Sequence, residues 1–532
     1  MTTYLYLKNC SIADGTGGPI YTGGILIQDN RIAAITDTPP SSAGLKTLDC
    51  SGLLATPGFI DAHSHNDWFA LSADKEHYML PFLRQGITTF VTGNCGFSVT
   101  GYKENTEYLS EIGGGLFTLD ANSKCFPTYS AWFDQLNRQS IVNIAALAGH
   151  GSARIGVNGK GPGELAPERF DSMMAALEQA LKEGACGVSL GLMYEPGIFA
   201  PKEELLAVAR LVKRYDRILA VHPKAMSSIS LSYTTLTKSH LILALRELEE
   251  IVRETGVRFQ YNHLLFIGRR TWPDEPRALA IFDELLRDGF DVGFDMYPLD
   301  YGASIITVVL PEWFMKISPA ARKAPFSRLK LWGMVQLTTK LLGFGFSDIT
   351  IAYAGTEHPE MIGKTISQLA SQWGISEFAA YLRVCEESNY EAKVLQGKYQ
   401  NIDIVKRLMV HDLSLYMTDA WVELAGKQNG AVYGAFPMFL EIALASGFPL
   451  EKAIAKMSGF TARRFQLKDR GEIRPGAFAD INLIDLNRLQ SRIEEELPPL
   501  GIRHVFINGQ QVIRDEEYAA GKPCGAGVQV GT

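Results

Sequence analysis

The sequence has few cysteines, little excess charge and no long apolar run, and each of these absences makes one class of protein less plausible. The seven cysteines are an odd number scattered over 532 residues, which argues against a disulfide framework and favours a reducing, cytoplasmic compartment. A net charge of −7 gives no overall reason to expect a nucleic-acid partner. No apolar run is long enough to span a bilayer, and the N-terminal residues lack the basic and apolar regions of a signal peptide.

The chain is long enough for a large barrel with an accessory domain. Residues 1–55 and 465–532 both show short strands separated by turn signals, so we predict that the two ends form one small β-sandwich domain. Between them, residues 56–464 alternate strands with amphipathic helices, which predicts an α/β fold, a (β/α)8 TIM-type barrel. Residues 299–412 break the alternation and are predicted to be an insertion. The candidate strands end near His63, Thr92, His150, Leu190, His222, His263, Met296 and Thr418.

The most informative stretch is Asp61-Ala62-His63-Ser64-His65, directly after the apolar residues 54–60. Side chains alternate along a strand, so His63 and His65 point to the same face. Two imidazoles at a strand end supply half of a metal site, and such sites activate water for hydrolysis. The alternative is two chance histidines in a polar loop, which the Pro-Gly-Phe-Ile-Asp lead-in disfavours.

Other strand ends carry further candidates. Cys95 lies in Gly93-Asn94-Cys95-Gly96, directly after an apolar strand. This position suits a thiolate that binds a metal, although a lone cysteine is usually a small buried apolar residue. His222 and His263 each end a strand and are either ligands or ordinary buried histidines. Asp419 follows the last strand and is either a helix N-cap or the general base that hydrolysis needs.

These motifs resemble the amidohydrolase superfamily and, within it, the N-acyl-D-amino-acid deacylase (D-aminoacylase) family. The resemblance covers nearly the whole chain. The segments that carry it are Thr56–His65, Gly93–Gly96, Gly149–Arg154, Gly191–Gly197 and Gly471–Asp480.

The resemblance implies one tight zinc position at Cys95, His222 and His263, and a second, weaker metal position near His63 and His65. Many relatives bridge two metals with a carboxylated lysine on the fourth strand. Residues 185–190 contain no lysine here, so Cys95 is the better candidate for the bridge.

Asp419 would then act as the general base. Tyr194 would hydrogen-bond the scissile carbonyl, or else pack against Pro196. The expected reaction is hydrolysis of a small-molecule linear N-acyl amide. A cyclic-amide hydrolase of the hydantoinase or dihydropyrimidinase type and a catalytically silent scaffold are the alternatives.

The chain departs from the family where a substrate carboxylate would bind. Leu264 and Leu265 stand in place of a polar and a cationic residue, and Ala431 stands in place of an arginine. Lys224 could supply one positive charge, or be a solvated surface lysine. The side chains that we predict to contact substrate are Lys224, Tyr297, Ser304 and His150.

Residues 322–346 contain five cationic residues and no acidic one, interleaved with apolar residues. Such a segment can lie on a membrane surface. A packed helix or a lid beside the active site is the more usual outcome, and the sequence is compatible with either alternative.

Overall fold

The computed structural model describes residues 4–39, 45–114, 117, 126–230, 232–235 and 237–531. The strands found in these ranges are, in chain order, β1 (Tyr4–Ile12), β2 (Tyr21–Gln28), β3 (Arg31–Ile35), β4 (Lys46–Asp49), β5 (Leu54–Pro57), β6 (Phe59–Asp61), β7 (Ile87–Thr92), β8 (Asn143–Gly149), β9 (Gly187–Gly191), β10 (Ile218–His222), β11 (Arg258–Tyr261), β12 (Val292–Met296), β13 (Gly302–Ile305), β14 (Ile349–Tyr353), β15 (Lys393–Gln396), β16 (Ser414–Tyr416), β17 (Ile481–Ile484), β18 (Ile502–Ile507), β19 (Gln510–Arg514) and β20 (Glu517–Tyr518).

The α-helices in the same ranges are α1 (Lys75–Leu83), α2 (Tyr129–Gln139), α3 (His150–Asn158), α4 (Pro167–Lys182), α5 (Lys202–Arg214), α6 (His240–Thr255), α7 (Glu275–Arg287), α8 (Glu312–Lys316), α9 (Pro319–Lys323), α10 (Pro325–Leu342), α11 (Ile366–Trp373), α12 (Glu377–Glu387), α13 (Ile402–Val410), α14 (Ala431–Ser446), α15 (Leu450–Lys456) and α16 (Gly459–Arg464).

Eight parallel strands form the barrel, in the order β6, β7, β8, β9, β10, β11, β12 and β16. Strands β7 and β8 are buried along their whole length, as expected of parallel strands covered by helices on the outside and filled by side chains on the inside. The Ala62 amide donates to the carbonyl of Tyr416 at 3.2 Å, which links the first strand to the last and nearly closes the barrel. The predicted (β/α)8 barrel is confirmed, and each of its strands ends within two residues of the predicted position.

Both chain ends contribute to a separate β-domain, as predicted. Strands β1 to β5 and β17 to β20 join in one nine-stranded sheet, in which β5 pairs with both β1 and β17. The hairpin between β18 and β19 turns at Asn508 and Gly509, both with positive φ, which is the geometry of a tight two-residue turn. Because β5 ends at Pro57 and β6 begins at Phe59, the sheet leads directly into the first barrel strand.

Residues between β12 and β16 form the region predicted as an insertion. Strands β13, β14 and β15 make a small antiparallel sheet with β15 in the centre. Helices α8 to α12 accompany this sheet, and a hydrophobic core of its own includes Leu331, Val335, Tyr381 and Cys385. The barrel therefore continues at α13 and β16 only after a small, separately packed layer.

No helix in the described part of the chain has both the length and the apolar character needed to cross a bilayer.

Candidate metal centre and active site

Six polar side chains meet at the carboxyl end of the barrel. The sulfur of Cys95 lies 3.4 Å from Nε2 of His63, 3.4 Å from Nδ1 of His222 and 3.6 Å from Nε2 of His263. Oδ1 of Asp419 lies 3.4 Å from Nε2 of His63 and 3.5 Å from Nε2 of His65. All the predicted metal ligands and the predicted base are thus in one cluster, with Cys95 between two groups of histidines.

The cluster is assembled by strand ends, because each of its members lies at or just beyond the carboxyl end of a barrel strand. These strands are β6, β7, β10, β11 and β16. Cys95, His263 and Asp419 have φ values of 53°, 39° and 46°, a left-handed conformation that non-glycine residues rarely adopt. Such strain is found at functional sites, where the surrounding structure maintains it to aim a side chain.

The loop that carries Cys95 is fixed against strand β9. A Cβ atom on Gly191 would lie 2.0 Å from the carbonyl oxygen of Cys95, so only glycine permits this backbone approach. The hydroxyl of Ser189 accepts a hydrogen bond from the amide of Gly96 at 3.0 Å and donates one to the carbonyl of Gly93. The fourth strand, which lacks a lysine, therefore positions the cysteine loop.

Two buried carboxylates support the histidines. Asp61 accepts the amide of His63 at 3.2 Å and the amide of Thr418 at 3.0 Å, which ties β6 to β16. Asp295, at the end of β12, accepts the amide of His263 at 2.5 Å and lies 3.5 Å from Nδ1 of His63. A carboxylate on the far side of a metal-binding imidazole fixes its orientation and its tautomer.

The electrostatics of the cluster favour a thiolate. Burial alone would raise the pKa of the Cys95 thiol, but His63 and His222 hold it well below its ordinary value. Burial opposes a charge on His63, yet Cys95 and Asp419 hold the pKa of His63 well above its usual range. Opposite charges at close quarters thus stabilise one another in a region that is almost closed to water.

The residues present fit a metal ion. Tetrahedral zinc with bond lengths of about 2.3 Å to sulfur and about 2.05 Å to nitrogen places those two ligands roughly 3.5 Å apart. The sulfur–nitrogen distances of 3.4 to 3.6 Å match this value. Two overlapping groups can each hold an ion, one made of His63, Cys95 and His263, and one made of His63, His65 and Asp419. Nδ1 of His222 lies 3.4 Å from the same sulfur, so His222 is also within reach of an ion bound at Cys95.

Asp419 occupies the open side of the cluster. Its side chain is 22% exposed, whereas the histidines and Cys95 are almost fully buried. Burial opposes its charge, but His63 and His65 lower the pKa of its carboxyl, so Asp419 is an anion able to accept a proton. The most exposed side chain of the cluster is therefore a carboxylate.

Three tyrosines surround this open side. The ring of Tyr194 lies 4.6 Å from the ring of His222, and burial together with Cys95 and Asp419 keeps the pKa of Tyr194 well above its ordinary value. Burial raises the pKa of Tyr399 to about 12, despite a hydrogen bond from Ser304. Tyr297 is buried beside Tyr399, and its pKa is raised in the same way. All three phenols remain neutral hydrogen-bond donors at ordinary pH.

Aromatic rings cover the His65 side of the cluster. The ring of Phe117 stacks on His65 at 5.0 Å and on Trp68 at 5.3 Å, while Trp421 meets His65 edge-on at 5.7 Å. This wall is apolar, apart from the indole N–H groups.

Two predicted substrate contacts are engaged elsewhere. The ammonium group of Lys224 is paired with Glu247 at 2.8 Å. His150 binds Glu204 at 2.7 Å, and Arg154 binds the same carboxylate at 3.1 Å. No hydrogen bond of Lys224 or His150 reaches the cluster in the described part of the structure.

Sequence reasoning missed Asp295 and Tyr399. Asp295 could have been found, because a carboxylate at the end of a buried barrel strand is the same signal that identified His222 and His263. Tyr399 carries no such signal in the sequence. It lies in the insertion, and its position near the site depends on how that region folds.

Comparisons with known proteins show which family the chain resembles. Two models described as the amidohydrolase family match residues 46–222 and 404–512, together more than half of the chain. An N-acyl-D-glutamate deacylase of Alcaligenes xylosoxydans xylosoxydans is 28% identical, over 95% of this chain and 92% of the relative. The D-aminoacylase of the same organism is 26% identical, over 97% and 95%.

Solved structures give the same result. The N-acyl-D-glutamate deacylase of Bordetella bronchiseptica, complexed with zinc and a phosphonate inhibitor that mimics the tetrahedral intermediate, matches with a TM-score of 0.78 and 26% identity, covering 99% of both chains. An L-hydantoinase of Arthrobacter aurescens matches with a TM-score of 0.56 at 15% identity, which shows only a shared fold. The chain belongs to the amidohydrolase family, and it is a metal-dependent hydrolase of carbon–nitrogen bonds of the D-aminoacylase type.

Proposed function

We propose that this enzyme is a zinc hydrolase of linear N-acyl amides that prefers bulkier or less anionic substrates than N-acetyl-D-amino acids. The observation that carries the hydrolytic part is the convergence of Cys95, four histidines and Asp419 at one end of the barrel. Cys95, His222 and His263 would hold the tight zinc, and His63 and His65 a second, weaker ion. A bound zinc would lower the pKa of water and polarise the carbonyl.

The residues of the chain then perform the proton transfers. Asp419 accepts a proton from the attacking water and later delivers it to the leaving nitrogen. The neutral hydroxyl of Tyr194 donates to the carbonyl oxygen as negative charge develops there. The almost closed cluster keeps other water away from the reacting carbon.

The substrate preference is supported by the shortage of cations near this centre. The predicted replacement cation, Lys224, is paired with Glu247. Leu265 and Ala431 stand where the resemblance to D-aminoacylases implies a cationic residue and an arginine. A substrate carboxylate buried there without a partner would cost several kcal/mol.

Elemental analysis of the wild-type protein and of Cys95→Ser tests the metal. We expect at least one equivalent of zinc in the wild type and much less in Cys95→Ser. The control is Cys385→Ser, which removes a buried thiol in the insertion, far along the chain from the cluster. A metal-free wild type, or a serine variant with full zinc, would overturn the assignment.

The substrate is tested by kcat/KM for N-acetyl-D-amino acids beside long-chain N-acyl and carboxyl-blocked analogues. We expect kcat/KM to rise with acyl length and with blocking of the carboxylate. Efficient turnover of N-acetyl-D-glutamate or N-acetyl-D-leucine, with no gain from either change, would refute the preference and leave the hydrolase assignment intact.

The described part of the chain contains six free, buried cysteines, which supports the cytoplasmic location that we propose.

A further inference from the structure

Helix α10 presents a largely exposed apolar face, which Trp313 contacts at Met334 and Lys330 in the described structure. Its inward face is made of Leu331, Val335 and Thr339, which follow one another at intervals of four residues and are buried. On the outward side, Phe326 is 78% exposed, Leu329 65% and Leu337 57%. The other large apolar side chains of this helix that are more than a third exposed are Trp332, Met334 and Leu341.

The same outward face carries positive charge and no negative charge. Lys330 and Lys340 lie among the exposed apolar residues of the helix, and Lys323 is exposed just before it. No acidic residue occurs between 322 and 346, although the chain as a whole is acidic. Arg328 does not add to this charge, because it is paired with Glu386 at 2.5 Å.

The helix ends beside the active-site loops. The amide of Arg270 donates to the carbonyl of Leu342 at 3.3 Å, in the segment that follows His263. The amide of Gly268 donates to the carbonyl of Lys398, the residue before Tyr399, at 2.7 Å. A partner bound to the outward face of α10 would therefore lie next to the loops that lead to the metal centre.

We propose that the outward face of α10 docks on an anionic lipid–water interface. Apolar side chains mixed with lysines on one face of a helix are the composition of helices that lie in the interface plane of a membrane. Each lysine close to an anionic surface strengthens binding by about fivefold. A two-fold contact between copies of this chain fits less well, since it would set the same lysine-bearing face against itself.

Sedimentation with lipid vesicles tests this, using pure phosphatidylcholine and mixtures with phosphatidylglycerol at low and high salt. The wild type should bind the anionic vesicles, and less so at high salt. The triple variant Phe326→Ser/Leu329→Ser/Leu337→Ser should bind at least about tenfold more weakly. The control Leu286→Ser/Leu444→Ser changes two exposed leucines on other helices and should bind like the wild type.

A second variant, Lys330→Gln/Lys340→Gln, keeps the apolar side chains and should lose most of the preference for anionic vesicles. The proposal fails if the wild type binds neither kind of vesicle, or if the triple variant binds as well as the wild type. It also fails if light scattering shows a wild-type dimer that the triple variant dissolves, which would make a second copy the occupant. None of these measurements depends on catalysis, so they test lipid binding independently of the proposed function.

Discussion

The candidate metal centre and the insertion that brings Tyr399 to its open side are built in opposite ways. The centre draws its side chains from the ends of five barrel strands, holds three of them at positive φ, and buries its histidines and Cys95 almost completely. The insertion packs around a small sheet of its own and leaves its longest helix with a largely apolar outer face. Rigid strand ends suit chemistry that tolerates little displacement, whereas a separate layer can vary recognition without disturbing that chemistry.

Removing the proposed base should give the largest effect on turnover, and it tests whether the chemistry resides in the barrel. We expect Asp419→Asn to lower kcat by roughly 10²–10⁴-fold, because the amide cannot accept the proton of the attacking water. Zinc content should stay close to that of the wild type. The control is Asp412→Asn, an exposed aspartate seven residues earlier. Near-normal kcat in Asp419→Asn would require another base.

The tyrosines of the two regions should separate catalysis from recognition. Tyr194→Phe, in the barrel, should lower kcat by about 10²-fold through loss of one hydrogen bond to the developing oxyanion. Tyr399→Phe, in the insertion, should act mainly on KM. Steady-state kinetics on the best substrate decide the matter, and a larger kcat loss in Tyr399→Phe would reverse the assignment of roles.

The sequence predicts the residues of the barrel site better than it predicts the contribution of the insertion. One rule, that polar residues cluster at the carboxyl ends of parallel strands, located His63, Cys95, His222, His263 and Asp419. It works because barrel strands converge whatever their loops do. It cannot predict the position of Tyr399, which depends on how residues 299–412 fold. It also cannot predict that Lys224, in the loop after β10, is paired with Glu247 of α6.

Asp295 tests how the barrel holds its ligands. Asp295→Asn removes the negative charge behind His63 and weakens the acceptor for the amide of His263, so zinc affinity should fall about 10–100-fold. Competition with a chelator measures this affinity. The matched control, Asp291→Asn, lies just before the same strand at its exposed end. Equal affinities in the two variants would leave Asp295 with a purely structural role.

An effect on stability and not on turnover comes from Lys456 in α15 of the barrel. Its ammonium group is buried and donates to the carbonyls of His411 and Ser414, and burial lowers its pKa to about 8. Below pH 8 both the folded and the unfolded chain carry this proton, so the cost of burying the charge is present in full. Between pH 8 and the ordinary lysine value of 10.5, the unfolded chain binds more protons than the folded chain. The contribution of Lys456 to the free energy of unfolding therefore rises with pH in this range, by roughly 3 kcal/mol in total.

Urea unfolding from pH 8 to 10.5 measures this rise. The difference in the free energy of unfolding between the wild type and Lys456→Met should change with pH, whereas the difference for the exposed Lys452→Met on the same helix should not. A difference that stays constant from pH 8 to 10.5 would mean that Lys456 titrates in the folded protein as it does in the unfolded chain.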